Sequence, residues 1–178
     1  MLFFLCAAAL LMPAARAQQP APPPHDGSHD FDFELGTWKV HVERLLNPLT
    51  GSTAWNHWDG VSRVRKVWNG KANLVELAAD GPSGHIEFLS LRLYDPRLRQ
   101  WSLHYASSAT GELTTPSIGE FYDQETYDGR TILVRGVLTH SGADSAHFEQ
   151  SFSADGGRTW EVNFREQFTR LPNDTPAQ

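Results

Sequence analysis

The 178-residue chain has a single cysteine, Cys6, placed inside an apolar run near its start. Thiol catalysis, a cysteine-based zinc site and a disulfide framework are therefore all excluded from the rest of the chain. Long apolar runs are missing as well. The stretch from Leu2 to Leu11 falls short of the roughly 20 residues that a bilayer-spanning helix takes. Positive charge is scarce, with 15 Lys and Arg against 21 Asp and Glu and a formal charge of −6. Such a chain has no electrostatic case for binding nucleic acid or an anionic membrane. The short run Arg63-Val64-Arg65-Lys66 reads as one solvated strand face.

Other signals are absent too. No segment keeps helical periodicity over three turns. There is no His-x-His, His-Glu-x-x-His or Gly-x-Ser-x-Gly pattern. His57, His85 and His104 fall in separate segments, and Ser107-Ser108 has no recognisable base beside it. Neither a metal nor any other cofactor is expected.

What is present begins with an export signal. The apolar run is followed by Met12-Pro13 and by Ala15-Arg16-Ala17, a small-x-small cleavage pattern that marks residues 1–17 as a signal peptide. No Lys or Arg precedes the run. A lipoprotein anchor on Cys6 fits less well, because Leu5 stands where a small residue is required. The expected product is periplasmic or secreted, with no stable membrane insertion after cleavage. Loss of Arg16 makes it one charge more acidic. Residues 18–30, with Pro20, Pro22, Pro23 and Pro24, read as a semi-extended linker in which His25 and His29 are solvated. The folded domain is expected over 31–171, with an unstructured tail over 172–178.

Within that domain, turn signals recur about every ten residues and the segments between them alternate, the pattern of a sandwich or barrel. Trp38, Val40 and Val42 share one face of the first strand. The second strand, Thr53 to Trp68, is long enough to bend at Gly60, and Asn69-Gly70 reads as a two-residue hairpin. Leu89, Leu91 and Leu93 share a face of a later strand. Asp95-Pro96 opens a type I turn, after which Trp101, Leu103 and Tyr105 align. A strand over 117–127 is followed by an Asp128-Gly129 turn and by Ile132, Val134 and Leu138. About nine or ten sequential strands with short connections form a meander. Closing it removes the edges. The expected fold is all-β, an antiparallel up-and-down barrel of the lipocalin type, with a β-sandwich as the alternative.

Two motifs carry mechanical content. Ser153-Ala154-Asp155-Gly156-Gly157-Arg158-Thr159-Trp160 matches the Asp-box pattern of sialidase-like propellers, but a single copy in so short a chain excludes a propeller. Locally, Asp155 is expected to accept turn amides and Gly157 to take a left-handed conformation in a three-residue loop with a bulge. Pairing 154 with 158 then sets Phe152 opposite Trp160 and Phe148 opposite Phe164. Both Asp155 and Trp160 read as structural. The second motif is Gly36-Thr37-Trp38, a Gly-x-Trp at the entry to the first strand. In lipocalin-like barrels this Trp closes the floor beneath an Arg of the last strand, here Arg165 or Arg170.

Three blocks together resemble a bacterial family of unknown function: Phe31 to Trp38; Leu91-Arg92-Leu93-Tyr94-Asp95-Pro96 with Gln100-Trp101-Ser102; and Phe148 to Ser153 with Asp155-Gly156-Gly157 and Thr159-Trp160-Glu161. The resemblance covers nearly all of 31–170. It implies an exported, calycin-type barrel related in shape to lipocalins and nitrobindins, and it supplies no activity or catalytic residues. A nitrobindin-like haem role would need a late-strand histidine. His140 and His147 are the only ones there, and that group's glycine-rich opening motif is missing.

Polar residues on apolar faces are the remaining signal. Gln150 lies between Phe148 and Phe152, Glu166 between Phe164 and Phe168, and Glu76 between Leu74 and Ala78. An inward polar group left unpaired costs about 1–3 kcal/mol. Such residues either pair with inward arginines (Arg44, Arg63 or Arg92) or form the polar end of an aromatic pocket. On the second reading a small apolar or amphipathic ligand lies among Trp38, Trp58, Trp101, Tyr105 and Phe148, oriented by Gln150 or Glu166. Two other functions stay open: a barrel filled by its six Trp that acts through its surface, and an enzyme using inward carboxylates.

Overall fold

The computed structural model describes residues 26–114, 116–118 and 122–172. The expected signal at 1–17, the linker as far as residue 25 and the tail beyond residue 172 lie outside the described residues.

Among the described residues, ten antiparallel strands form one strongly curled sheet that closes on itself. They are β1 (Gly36–Leu45), β2 (Trp55–Val67), β3 (Ala72–Gly81), β4 (Gly84–Asp95), β5 (Gln100–Ser107), β6 (Ser117–Ile118), β7 (Tyr122–Tyr127), β8 (Arg130–His140), β9 (Ser145–Ser153) and β10 (Glu161–Arg170). Each strand pairs with its neighbours in sequence, and β1 pairs with β10. The up-and-down meander expected from the short connections is what forms. Among the described residues, the ring is thinnest at β6, which is joined to β5 by two residue pairs and to β7 by one. The strand expected over 117–127 is thus broken in two.

Alternation places the core. On β1, Trp38, Val40 and Val42 are buried while Lys39 is exposed. These valines pack with Trp58, Leu77 and Ala79 on β2 and β3. At Gly60, β2 lies close against β3. A Cβ there would lie 2.1 Å from the Ala78 carbonyl oxygen and 2.6 Å from the Ala79 Cβ. Close backbone approach is therefore what excludes a side chain at this position.

One end of the barrel is closed by the segment before β1. A single 3₁₀ turn, Asp32–Glu34, follows Phe31. Phe31 occupies the N-cap position and makes no side-chain capping hydrogen bond. Gly36 enters β1 at φ +114°, a conformation open to glycine but strained for other residues. This accounts for the glycine of Gly-x-Trp. Trp38 is 2% exposed and donates its indole N–H to the Glu34 carbonyl at 2.6 Å. The Arg170 guanidinium lies 4.0 Å from the Trp38 ring centroid and donates to the Leu35 and Phe33 carbonyls at 2.7 and 2.6 Å. Of the two arginines considered, Arg170 forms the floor contact. Arg165 stacks on Trp55 instead. The last part of the expected linker belongs to this end as well: Trp101 donates to the Gly27 carbonyl at 2.8 Å and His29 pairs with Asp32.

Several turn and register expectations are corrected. Val67 pairs with Ala72, so the Asn69-Gly70 hairpin spans Trp68 to Lys71 rather than two residues, with Trp68 and Asn69 both at positive φ. The Asp-box loop runs from Ala154 to Trp160 instead of three residues, because β9 ends at Ser153 and β10 starts at Glu161. Phe152 pairs with Glu161, Gln150 with Phe164 and Phe148 with Glu166, with a register shift between Val162 and Phe164. The extra residue of this bulge moves the ladder one position further from the expected pairing. Phe148 and Phe164 still share a face, with ring centroids 6.3 Å apart.

The Asp155 expectation holds. Its carboxylate accepts from the Arg158 and Thr159 amides at 3.0 and 2.9 Å and from the Thr159 and Ser153 hydroxyls at 2.7 and 2.8 Å. Gly157 takes φ +86°. The Thr159 amide and hydroxyl, then Ser153 and Arg158, hold the Asp155 carboxyl well below the usual carboxylate range. A depressed folded-state pKa contributes stability above the unfolded value, and that stability is lost as pH falls through the folded value. Asp155→Asn should therefore lower the melting temperature at neutral pH and flatten the acid limb of the stability curve, as read by thermal unfolding across acidic pH. An unchanged acid limb would contradict this role.

Candidate functional site

The inward faces of the strands enclose an open lumen. A cavity of about 490 Å³ runs from Glu34 and Trp38 at the closed end to Pro48, Thr110 and Thr114 in the loops at the other end. Its wall is mostly apolar: Val64, Val75, Leu77, Phe88, Leu138, Phe148, Phe164 and Phe168. The tryptophans do not fill it. Trp55 lies under Arg165, Trp68 is exposed, and Trp160 sits in the Asp-box loop against Arg135.

The residues expected to bind separate into two groups. Trp38, Tyr105, Phe148, Gln150 and Glu166 line the cavity together. Trp58 and Trp101 do not. Trp58 is packed with Val40, Val42 and Leu77 and donates its indole N–H to the Gly84 carbonyl at 3.0 Å. Trp101 packs edge-on against Phe31 at 5.1 Å in the closed end. Each indole has its polar tip occupied by a backbone carbonyl, the usual arrangement for a structural tryptophan.

Glu76 is misplaced by the alternation argument. It is exposed on the outer face, with its carboxylate 3.8 Å from Arg65. On β3 the inward set is Asn73, Val75, Leu77 and Ala79. Of the candidate arginine partners, Arg63 is exposed and Arg44 lies at the loop end of the cavity. Arg92 alone is buried. Its partner is none of the three residues proposed for it: it makes a buried ion pair with Glu34 of the 3₁₀ turn and lies 4.4 Å over the Phe31 ring.

Around Arg92 lies a polar pole in the apolar cavity. Tyr105 and Asn73 pair across from Ser90 and Arg92 on the neighbouring strands. The Ser62 and Ser90 hydroxyls and the Arg92 Nε are buried without a hydrogen-bond partner among the described residues. Both serines line the cavity. Burial lowers the Arg92 pKa to about 10, with Tyr105 and Glu166 opposing the fall, so the guanidinium stays charged at neutral pH. Burial also raises the Tyr105 phenol.

Glu166 stands apart from these groups. Its carboxyl forms no hydrogen bond or ion pair among the described residues. Desolvation pushes its pKa up to about 7, with the Arg92 charge acting in the opposite sense. A raised carboxyl pKa makes the folded state hold a proton that the unfolded chain has already released. Stability therefore declines as pH rises from the ordinary carboxylate range to about 7 and is flat above it. Glu166→Gln should remove that decline and stabilise the protein at alkaline pH, as read by urea unfolding on either side of neutrality. A decline that persists in the variant would contradict this assignment.

Ser90 and Arg92 are the residues that sequence reasoning undervalued. The Leu89, Leu91 and Leu93 face of β4 drew attention, yet those leucines are half-buried and lie opposite the face that carries Phe88, Ser90 and Arg92. The missed signal was the combination of Ser90 and Arg92 alternating with Phe88. Histidines add no centre: His85 pairs with Asp80, and among the described residues no group of three metal-binding side chains converges.

No family model matches the chain, and no curated protein matches it in sequence.

Proposed function

We propose that this protein is an exported carrier or sensor that holds a small apolar or amphipathic molecule in the barrel lumen. The observation that carries the reading is the cavity itself. Its volume of about 490 Å³ falls within the roughly 300–1,000 Å³ of small-molecule sites, and a few convergent polar groups in an apolar wall are the common anatomy of such sites. The apolar body would lie against Phe88, Phe148 and Phe164, with its polar end toward Ser62, Ser90 and Glu166. Export follows from the cleavage pattern at Ala17, and the motifs keep the chain with the exported calycin-type barrels it resembles. An acid–base role for Glu166 has less support, because the charged group that acts on it, Arg92, is already held by Glu34.

Trp38 lines the cavity and is almost fully buried, so an occupant changes its surroundings. Titration of tryptophan emission with a series of lipophiles should give a saturable change for at least one chemical class. A flat response across the whole series would overturn the proposal.

A further inference from the structure

The charges of the inner half of the lumen do not balance when every group is ionised. Two carboxyls, Glu34 and Glu166, face one guanidinium, Arg92, and Glu34 already holds it. Glu166 is left in an apolar wall between Phe164 and Phe168 on its own strand and across the ladder from Phe148 and Val42. Beside this pole, the Ser62 and Ser90 hydroxyls are buried and unpartnered in the cavity wall.

We propose, on the reading that the lumen holds a small amphipathic molecule, that its ligand is a hydrophobic monoamine whose ammonium pairs with the Glu166 carboxylate. A cation completes the charge balance of the site. An anion would meet two carboxyls with the one inner cation already matched, and a neutral head would leave Glu166 unpaired. Glu166 is half-buried, and a carboxylate held in an apolar wall is costly to leave without a counter-ion and is stabilised by a close opposite charge. Aromatic walls favour the same class: Phe148 and Phe164 stand 6.3 Å apart, and ring faces attract alkylammonium groups. Acidic groups also outnumber basic ones along the loop end of the cavity, where Glu112 and Glu125 line the wall with Arg44.

The groups that face Glu166 define its response to pH. Arg92 on β4 is the charged one and Tyr105 on β5 is neutral. Val42 on β1 and Phe148 on β9 carry no charge. The free site holds a proton on Glu166 below about 7, and an ammonium must displace it. Alkylamines stay protonated throughout this range, their pKa being about 10. Amine affinity should therefore rise about tenfold per pH unit up to neutrality and level off above it.

The experiment is isothermal titration of the whole chain with phenylbutylamine, phenylbutanol and phenylbutyrate, which share a body and differ in the head group, from about pH 5 to about pH 8. The expected result is that the amine binds at least tenfold tighter than the alcohol at the upper pH, with the stated pH profile, while the alcohol profile is flat. Glu166→Gln should reduce the amine-to-alcohol affinity ratio at least tenfold. If the variant does not fold, the native pH profile decides alone. An amine that binds no tighter than the alcohol, an amine affinity independent of pH, or a ratio unchanged by the substitution overturns the inference and leaves the lumen reading standing. Preferential binding of phenylbutyrate does the same. No binding by any of the three overturns both.

Discussion

Arg92→Leu should destabilise the barrel by about 3–5 kcal/mol, the cost of stranding a buried charge when its partner is removed. Glu34 and Arg92 are 7% and 8% exposed at their side chains, so water does not replace the missing partner. The pair joins two parts of the chain that the strand ladder leaves separate, the 3₁₀ turn before β1 and the inner face of β4. Loss of the guanidinium also removes its contact with the Phe31 ring. The double variant Glu34→Leu/Arg92→Leu should recover most of the loss, because replacing both members of a buried pair by apolar groups is often neutral. Urea unfolding of the two single variants and the double variant gives the coupling energy directly. A loss below about 1 kcal/mol in the single variant would put the pair in the range of solvated surface bridges and contradict the closed end described here.

Leu138→Trp should reduce lumen binding at least tenfold while leaving the fold intact. Leu138 is half-buried on β8, lines the cavity and pairs across the ladder with Phe148. An indole at this position enters space that is already open, so the overpacking cost of about 1–3 kcal/mol seen in dense cores should be largely avoided. Binding and stability are thereby separated. Titration of phenylbutanol into the variant reads the first and urea unfolding the second. Retained affinity with an intact fold would place the ligand outside the lumen.

The barrel was legible in the sequence because its local rules agree. Trp38, Val40 and Val42 alternate with Lys39 and His41, as a half-buried strand requires. Asp128 and Gly129, both at positive φ, make the tight turn between Tyr127 and Arg130. The Asp95 carboxylate accepts from the Arg97 and Leu98 amides, as its turn requires. Register was less legible. The expected pairing of the last hairpin assumed the shortest loop, whereas the Asp-box loop is stabilised by the side chains of Ser153, Asp155 and Thr159, and a bulge follows it. Neither effect leaves a trace in a pattern of period two.

The candidate site was legible where an odd polar residue interrupted an aromatic face. Gln150 and Glu166 were found in this way. The same rule failed at Glu76, where small and apolar residues occur on both faces of β3 and the inward set contains the fully buried Asn73. It failed again on β4, where the buried Ser90 and Arg92 share the lumen face with Phe88 and alternate with the leucines. Glu34 could not be placed at all by strand alternation, because it precedes the first strand and reaches Arg92 through the 3₁₀ turn. A pocket admits polar residues to an otherwise apolar inward face, and those polar residues are the ones that alternation can misassign.

The central claim, that the lumen is where this protein binds, is tested most directly by intermolecular nuclear Overhauser contacts between bound phenylbutanol and the methyl groups of the chain. The account predicts contacts to Val64, Val75, Leu77 and Leu138, four methyl-bearing residues of the cavity wall. Contacts confined to the exposed Leu98 and Val137, which lie outside the cavity wall, would contradict it.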